Sequence, residues 1–260
     1  MVPVVDQTFI QAAIEIADLA REISLKYFRQ PLDIEHKADR SPVTIADQQT
    51  EALIRDEITR RFPAHGFYGE ETGQTATDAQ WVWVVDPIDG TTSFSTGKPT
   101  FGTLISLAYE GEPVLGLVDL PALNDRWLGV KGQPTLHNGR PVRSNQVVRE
   151  IARASSYTTT TKMFDKAALP RYQVLADESK FSVFGADCLG YGLLASGFTE
   201  IVVEASLEPY DYMALVPVVE GAGGCISDWN GHPVRLDSGD QIVATANVEL
   251  HQKVLQSLRA

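Results

Sequence analysis

A chain of 260 residues, 43% hydrophobic and 22% charged, has the composition of a globular protein and can bury a substantial core as one large domain or two small ones. Its net charge of −12 argues against a general nucleic-acid binder, which needs a basic face, and no apolar run reaches the ~18–20 residues that cross a bilayer. Five histidines are scattered with no i, i+4 pair, and Cys188 and Cys225 lie in apolar surroundings without metal-ligand spacing. A zinc site is therefore not expected, whereas buried thiols in a reducing cytoplasm are.

Met1 to Asp6 carries no basic region, so no secretion signal is expected. Residues 8–29 have helical periodicity, with Phe9, Ala13, Ile16, Leu19, Ala20, Ile23 and Phe28 on one stripe. A polar, strand-like link follows through Lys37. Ser41 to Thr44 then read as a helix start, and a second helix is predicted up to Phe62, ahead of Pro63. Residues 65–73 suggest a short strand ending in Gly69, Glu70, Glu71, Thr72 and Gly73, with a polar loop to Gln80.

Residues 81–92 are the most informative stretch. Five apolar residues from Trp81 to Val85 predict a strand buried on both faces, with Asp86 at its tip. Pro87 has no N–H and should stop the ladder. Asp89 follows three residues after Asp86, so two carboxylates can bend toward one point. Gly90 lets backbone approach a ligand, and Thr91 and Thr92 can open a helix whose free N–H groups attract an anion. Carboxylates for a hard cation beside amides for a phosphate suit metal-assisted phosphate chemistry. Alone, the Asp-Gly pair would be a surface turn; its place at the end of an apolar strand argues otherwise.

From Phe101 to Arg143, short strands punctuated by turn residues predict an antiparallel meander. The later half mixes a strand near 151–157, a helix near 161–169, a strand near 181–185 and a helix from Asp187 to Ser196. A strand from Ile201 to Glu204 and a helix from Tyr210 to about Ala222, ended by Gly223 and Gly224, come next. Strands near 225–229 and 241–246 and a final helix from about 247 close the chain. With no repeat and no flexible linker, residues 1–260 read as one α+β unit, with two lobes possible at about 1–145 and 146–260.

Glu70, Asp86, Asp89 and Asp211 look placed for a shared site holding two or more Mg²⁺ ions. Two such ions about 3.5–4 Å apart can clamp the attacking and leaving oxygens of a phosphate ester, with a metal-activated water as nucleophile. The other reading of Asp211 is a helix cap, and Glu70 alone would pass for an exposed glutamate. No side-chain nucleophile or triad is evident.

Gly69 to Glu71, Asp86 to Thr92, and Tyr210-Asp211 ahead of Glu220 to Gly224 resemble the motifs of the inositol monophosphatase family, in the expected order and across nearly the whole chain. The resemblance implies a layered αβαβα sandwich, Mg²⁺-dependent hydrolysis of small phosphomonoesters with two or three ions per site, lithium inhibition and a homodimer. It makes Glu70, Asp86, Asp89, Asp211 and the Ile88 carbonyl metal ligands. Gly90, Thr91 and Thr92 would bind phosphate, Thr91 and Glu70 would position the attacking water, and Asp47 would hydrogen-bond Thr91. Without the resemblance, Asp47 reads as a solvated helix residue. Tyr210 stands where many relatives carry tryptophan, keeping an aromatic wall.

The segments around Phe101, Asp125, Gly185 and Glu208 resemble most the histidinol-phosphate phosphatase branch. Histidinol phosphate carries an ammonium group, which calls for anionic contacts that a neutral polyol does not need. Asp187 and Glu204 are the substrate-side carboxylates that the resemblance suggests, together with Asp211. A plain helix N-cap is the equal alternative for Asp187. An inositol-1-phosphate phosphatase is the nearest rival. A nucleotide 3′-phosphatase lacks an evident basic clamp, and an interaction protein of the same fold finds no support for RNA contact in so acidic a chain. The partner expected is a small phosphate ester, with neither nucleic acid nor membrane. The 31–44 loop, with Lys37, could close over the site, although a solvated loop lysine is the plainer reading.

Overall fold

A computed structural model describes residues 4–31, 35–36 and 42–259, with residues 35–36 and 42–43 as backbone only. Lys37 and the proposed closure of the loop around it lie outside the described residues. Helix α1 (Gln7–Tyr27) starts at Asp6, whose carboxylate accepts the Thr8 N–H at 2.7 Å. Its buried face runs through Ile10, Ala12, Ala13, Ile16, Ala17, Ala20 and Ser24. The predicted stripe is thus displaced, with Leu19 exposed, because small side chains let the helix lie close to its neighbours. Helix α2 (Ile45–Arg61) begins with a capping box between Thr44 and Asp47 and buries Asp47, Thr50, Glu51, Ile54 and Ile58 on one face.

Strands β1 (Glu35–His36) and β2 (Pro42–Val43) pair with each other. The first large sheet comprises β3 (Gly66–Gly69), β4 (Gln74–Thr75), β5 (Trp81–Asp89), β6 (Gly102–Tyr109), β7 (Glu112–Leu120), β8 (Asp125–Val130), β9 (Leu136–His137) and β10 (Arg140–Pro141). Its order is β10-β9-β8-β7-β6-β5-β3-β4, antiparallel except where β3 runs parallel to β5. The second sheet comprises β11 (Ser155–Thr158), β12 (Phe181–Phe184), β13 (Ile201–Glu204), β14 (Cys225–Asp228) and β15 (Ile242–Thr245), in the order β12-β11-β13-β15-β14. There β11 lies parallel to both neighbours and the other pairs are antiparallel.

Alternation along the buried strands sets the layers. Trp83 and Val85 of β5 pack toward α1 and α2, while Val82 and Val84 pack the other way. That opposite face meets α5 (Leu189–Ala195) and the pair α6 (Pro209–Tyr212) and α7 (Leu215–Gly221). Those helices also cover Val202, Ile242 and Ala244 of the second sheet, whose far face, through Ile201, Val203 and Val243, packs on α4 (Ala168–Glu178) and α8 (Val248–Arg259). The result is the expected α+β architecture, a layered αβαβα sandwich.

Four local expectations need correction. Pro87 does not end β5; the strand continues to Asp89 through a bulge, since Asp86 pairs with Leu104 and Asp89 with Gly102. The helix expected near 161–169 lies at 168–178, preceded by a short 3₁₀ turn at Thr161–Met163. Asp165 accepts the N–H groups of Ala167 and Ala168, and Pro170 falls in the first turn, where no N–H is needed, so the proline starts this helix instead of ending it. The helix expected from Tyr210 to Ala222 is broken into α6 and α7, because Pro217 has no N–H for the carbonyl four residues earlier. Residues 151–153 form a 3₁₀ turn, with the strand starting at Ser155.

Candidate active site

Asp86 continues the parity of Val82 and Val84, so it leaves β5 on the face that meets α5–α7. The bulge then brings Asp89 back to the same side two residues after Pro87. Asp86 is buried, and its Oδ1 accepts the Ile88 N–H at 2.9 Å. The Thr103 hydroxyl donates to the Pro87 carbonyl at 2.9 Å, pinning the bulge from β6. Gly90 takes φ +79°, a left-handed turn, and α3 (Thr91–Ser95) starts immediately after it. Asp89 Oδ2 accepts the Cys188 N–H at 2.7 Å from across the interlayer space.

Asp211 arrives from the other half of the chain. Its Oδ2 accepts the Glu208 N–H at 2.7 Å, so it does cap α6. The same carboxylate also lies with Asp86 and Asp89, one oxygen from each of the three lying within 4.8 Å of the others. Capping and clustering are therefore compatible in one side chain. Burial, then the charge of Glu70, pushes the Asp86 carboxyl well above the usual range. Burial and Asp89 do the same to Asp211, and burial raises Asp89 to about 7. Like charges crowded out of water call for a counter-cation, and an all-oxygen donor set suits a hard one such as Mg²⁺, Ca²⁺ or Mn²⁺. The residues present fit such an ion.

Glu70, at the end of β3, lines one cavity of about 180 Å³ with Asp89, Gly90, Thr91, Thr92, Asp187, Glu204 and Asp211. Asp47 is fully buried; its Oδ2 accepts the Thr44 N–H and hydroxyl at 2.8 and 2.6 Å, and its Oδ1 lies 3.3 Å from the Thr91 hydroxyl. It is not a solvated helix residue. The Thr91 hydroxyl has a second acceptor, the Ile88 carbonyl at 3.1 Å, so two acceptors compete for its one proton.

The far wall differs from expectation in detail. Asp187 does not open or cap a helix; it has φ +49°, and α5 begins two residues later. Its Oδ2 accepts the hydroxyls of Ser93 at 2.6 Å and Thr100 at 2.5 Å, and its carboxylate lies against Gly90, where a Cβ would come within 2.8 Å of its Cγ. Glu204 accepts the Thr159 N–H at 3.0 Å and the Tyr191 hydroxyl at 3.0 Å, and burial pushes its carboxyl up to about 7. Tyr210, expected as an aromatic wall, sits 6.2 Å from Tyr68 ring to ring and is not among the cavity-lining residues described. Thr159, Met163, Cys188, Tyr191, Leu207 and Leu215 do line it. Cys188 and Tyr191 follow Asp187 by one and four residues, Leu207 follows Glu204 by three and Leu215 follows Asp211 by four, so nearness to a candidate carboxylate could have flagged these four, whereas Thr159 and Met163 have no such neighbour. Burial and the neighbouring Asp89 hold the Cys188 thiol well above its usual range, so it stays protonated and inert.

The inositol monophosphatase family profile matches residues 5–260. The chain is 46% identical over 252 residues to the bifunctional phosphatase IMPL2, chloroplastic, of Arabidopsis thaliana, covering 94% of this chain and 72% of that protein. It is 36% identical over 240 residues to the histidinol-phosphatase of Chlorobaculum parvum, covering 92% of each. The solved structure of an inositol monophosphatase from Zymomonas mobilis superposes with a TM-score of 0.90 at 37% identity, covering 98% of both chains. With its fold, acidic cluster and sequence in agreement, this chain belongs to the inositol monophosphatase family and is a phosphoric monoester hydrolase.

Proposed function

We propose that the chain hydrolyses L-histidinol phosphate to L-histidinol and phosphate in an Mg²⁺-dependent reaction. The carrying observation is that one cavity is lined both by Glu70, Asp89 and Asp211, which would hold cations, and by two further carboxylates, Asp187 and Glu204. Glu70, Asp86, Asp89, Asp211 and the Ile88 carbonyl would hold two or three Mg²⁺ ions. Mg²⁺ there supplies positive charge for the phosphate oxygens and acidity for the attacking water.

The chain's own residues supply position and proton acceptance. Backbone N–H groups of Gly90, Thr91 and Thr92 face the phosphate at the first turn of α3. If the Ile88 carbonyl held a cation, Asp47 would be the acceptor left for the Thr91 proton, and the Thr91 oxygen lone pairs would orient a water. Glu70 accepts that water's proton. Asp47, Glu70 and Thr91 thus act together, from three separate elements.

The second set of carboxylates supports the amine-bearing substrate. Asp187 and Glu204 each keep lone pairs beyond those used by their present partners, and a neighbouring ammonium would hold Glu204 ionised. An inositol phosphate would leave both anionic groups without a cationic partner. The likeness to an inositol monophosphatase of known structure keeps that polyol as the competing substrate. Phosphate release with Mg²⁺, compared for histidinol phosphate and inositol 1-phosphate, tests the reading. A kcat/KM ratio of ~100 or more toward histidinol phosphate, about 2.7 kcal/mol of discrimination, is expected. A ratio near one, or reversed, would contradict amine recognition and leave a general or inositol-type phosphatase.

A further inference from the structure

We propose that Glu51 is the positioning residue that sets Glu70 at the cation site, by clamping the turn that carries it. Glu51 lies on α2 one turn after Asp47 and is fully buried. Its Oε2 accepts the Glu71 N–H at 2.7 Å, and its Oε1 accepts the Thr72 N–H at 2.6 Å and the Thr72 hydroxyl at 2.5 Å. Three donors from two consecutive residues converge on one carboxylate, immediately after Glu70. Gly69, immediately before Glu70, is what lets that carboxylate in: a Cβ there would stand 2.4 Å from Glu51 Oε1. Glu70 is therefore fixed on both sides by contacts to one side chain.

Arg55, a further turn along α2, closes the clamp from outside. Its Nε donates to the Thr72 hydroxyl oxygen at 2.6 Å, and its Nη2 donates to the carbonyls of Thr72 and Gly73 at 3.1 and 2.6 Å. The Thr72 hydroxyl thus donates to Glu51 and accepts from Arg55, linking the two. The guanidinium also stacks over Phe67 of β3, 4.3 Å from the ring centre. A helix face carrying Asp47, Glu51 and Arg55 at four-residue spacing so reaches two parts of the site: Asp47 meets Thr91, and Glu51 with Arg55 holds the Glu70 turn. Carboxylates that orient a cation ligand from behind alter cation affinity without touching the ion.

The inference rests on Glu70 being a cation ligand, so its test carries Glu70→Gln as a reference. Mg²⁺ titration by calorimetry of the full chain is expected to show about 10–100-fold weaker binding for Glu51→Gln. An amide there turns a donor toward the Glu71 or Thr72 N–H. Backbone hydrogen exchange at Glu71 and Thr72 should accelerate in the same variant while the melting temperature stays close to that of the parent. Weaker binding in Glu70→Gln but not in a folded Glu51→Gln would overturn the clamp and leave the ligand set standing. Unchanged binding in both would remove Glu70 from the ligand set and overturn the clamp with it. Should Glu51→Gln fail to fold, Thr72→Val decides: it deletes the linking hydroxyl at an exposed position. About threefold weaker binding or more supports the clamp, and parent-like binding contradicts it.

Discussion

The two walls of the cavity are built in opposite ways. On one wall, Asp86, Ile88, Asp89, Gly90, Thr91 and Thr92 follow one another along a single strand, bulge and helix start, and local geometry brings them together. On the other, Thr159, Asp187, Tyr191, Glu204, Leu207 and Asp211 come from a strand end, an elbow, two helices and the loops between them. The first wall takes its shape from one continuous stretch of backbone, which Thr103, Cys188 and Asp47 then brace from other elements. The second is held by bonds between distant residues, such as Tyr191 to Glu204 and Asp187 to Ser93 and Thr100. A wall encoded in one short segment can keep its chemistry while the facing wall changes; in the proposed function the first serves the reaction, Asp187 and Glu204 of the second serve the choice of ester, and Asp211 is shared between the two.

Substitutions that remove chemistry should hit every substrate equally. Asp89→Asn is expected to lower kcat by ~10³-fold or more for any phosphomonoester, with little change in melting temperature, because it would remove a proposed cation ligand from the Asp86, Asp89 and Asp211 cluster. Loss confined to one substrate would break the division between the walls. Gly90→Ala attacks the seam between them. It forces a Cβ onto φ +79° and into Asp187, and should cost roughly 1–3 kcal/mol of stability together with about a 100-fold fall in kcat. Thermal unfolding and turnover of the same preparation check it.

Glu204→Gln keeps an acceptor for Tyr191 or Thr159 but removes the charge. It should raise KM for histidinol phosphate about tenfold and leave a neutral phosphate ester nearly unchanged, as steady-state kinetics on both will show. Asp187→Asn should act in the same direction. Asp187→Ala is a poorer probe, since it also releases Ser93 and Thr100. Equal losses on both substrates would remove the specificity role.

The smallest effect on turnover is expected at His251, far from both walls. Its ring is bonded to Ser227 at 2.8 Å and Thr245 at 3.0 Å, and burial lowers its pKa from 6.5 to about 4. The unfolded chain therefore binds this proton first as pH falls. The stability contribution is complete above pH 6.5 and is lost between 6.5 and about 4, on the order of 2–3 kcal/mol. Denaturant unfolding of the parent and His251→Gln at pH 8 and pH 5 should show the larger loss in the parent. Identical pH slopes would contradict it.

The contrast between the walls also explains what could be read in the sequence. Trp81 to Thr92 declared strand, carboxylates and helix start because each step depends on neighbours in the chain. Glu70 stands out only by its place in a Gly-flanked turn after a short strand, and Asp47 is recognisable only through a family pattern, since nothing local distinguishes it from a solvated acid. Glu51 was missed, since its partners lie twenty residues away and emerge only when α2 packs beside β3. Asp187 reads in sequence as the start of a helix, with substrate contact and N-cap as equal alternatives, because the sequence does not show a left-handed residue ahead of the helix. Pro87 sits in a bulge instead of ending its strand, and the helix expected near 161–169 lies at 168–178, with Pro170 in its first turn. The missing N–H of Pro87 is legible in the sequence, but the pairing of Asp89 with Gly102 on β6 carries the strand past it.

Asp211 joins the walls, because it is the carboxylate that the later half contributes to the cluster with Asp86 and Asp89. Calorimetric titration of Mg²⁺ into the metal-free parent and into Asp211→Asn therefore tests the shared cation site most directly. The asparagine can still cap α6 through its side-chain oxygen but cannot neutralise a cation. Binding weakened by at least tenfold, with the melting temperature of the metal-free protein unchanged or higher, is the expected result. Parent-like Mg²⁺ binding by Asp211→Asn would contradict the convergence of the two walls on one cation site.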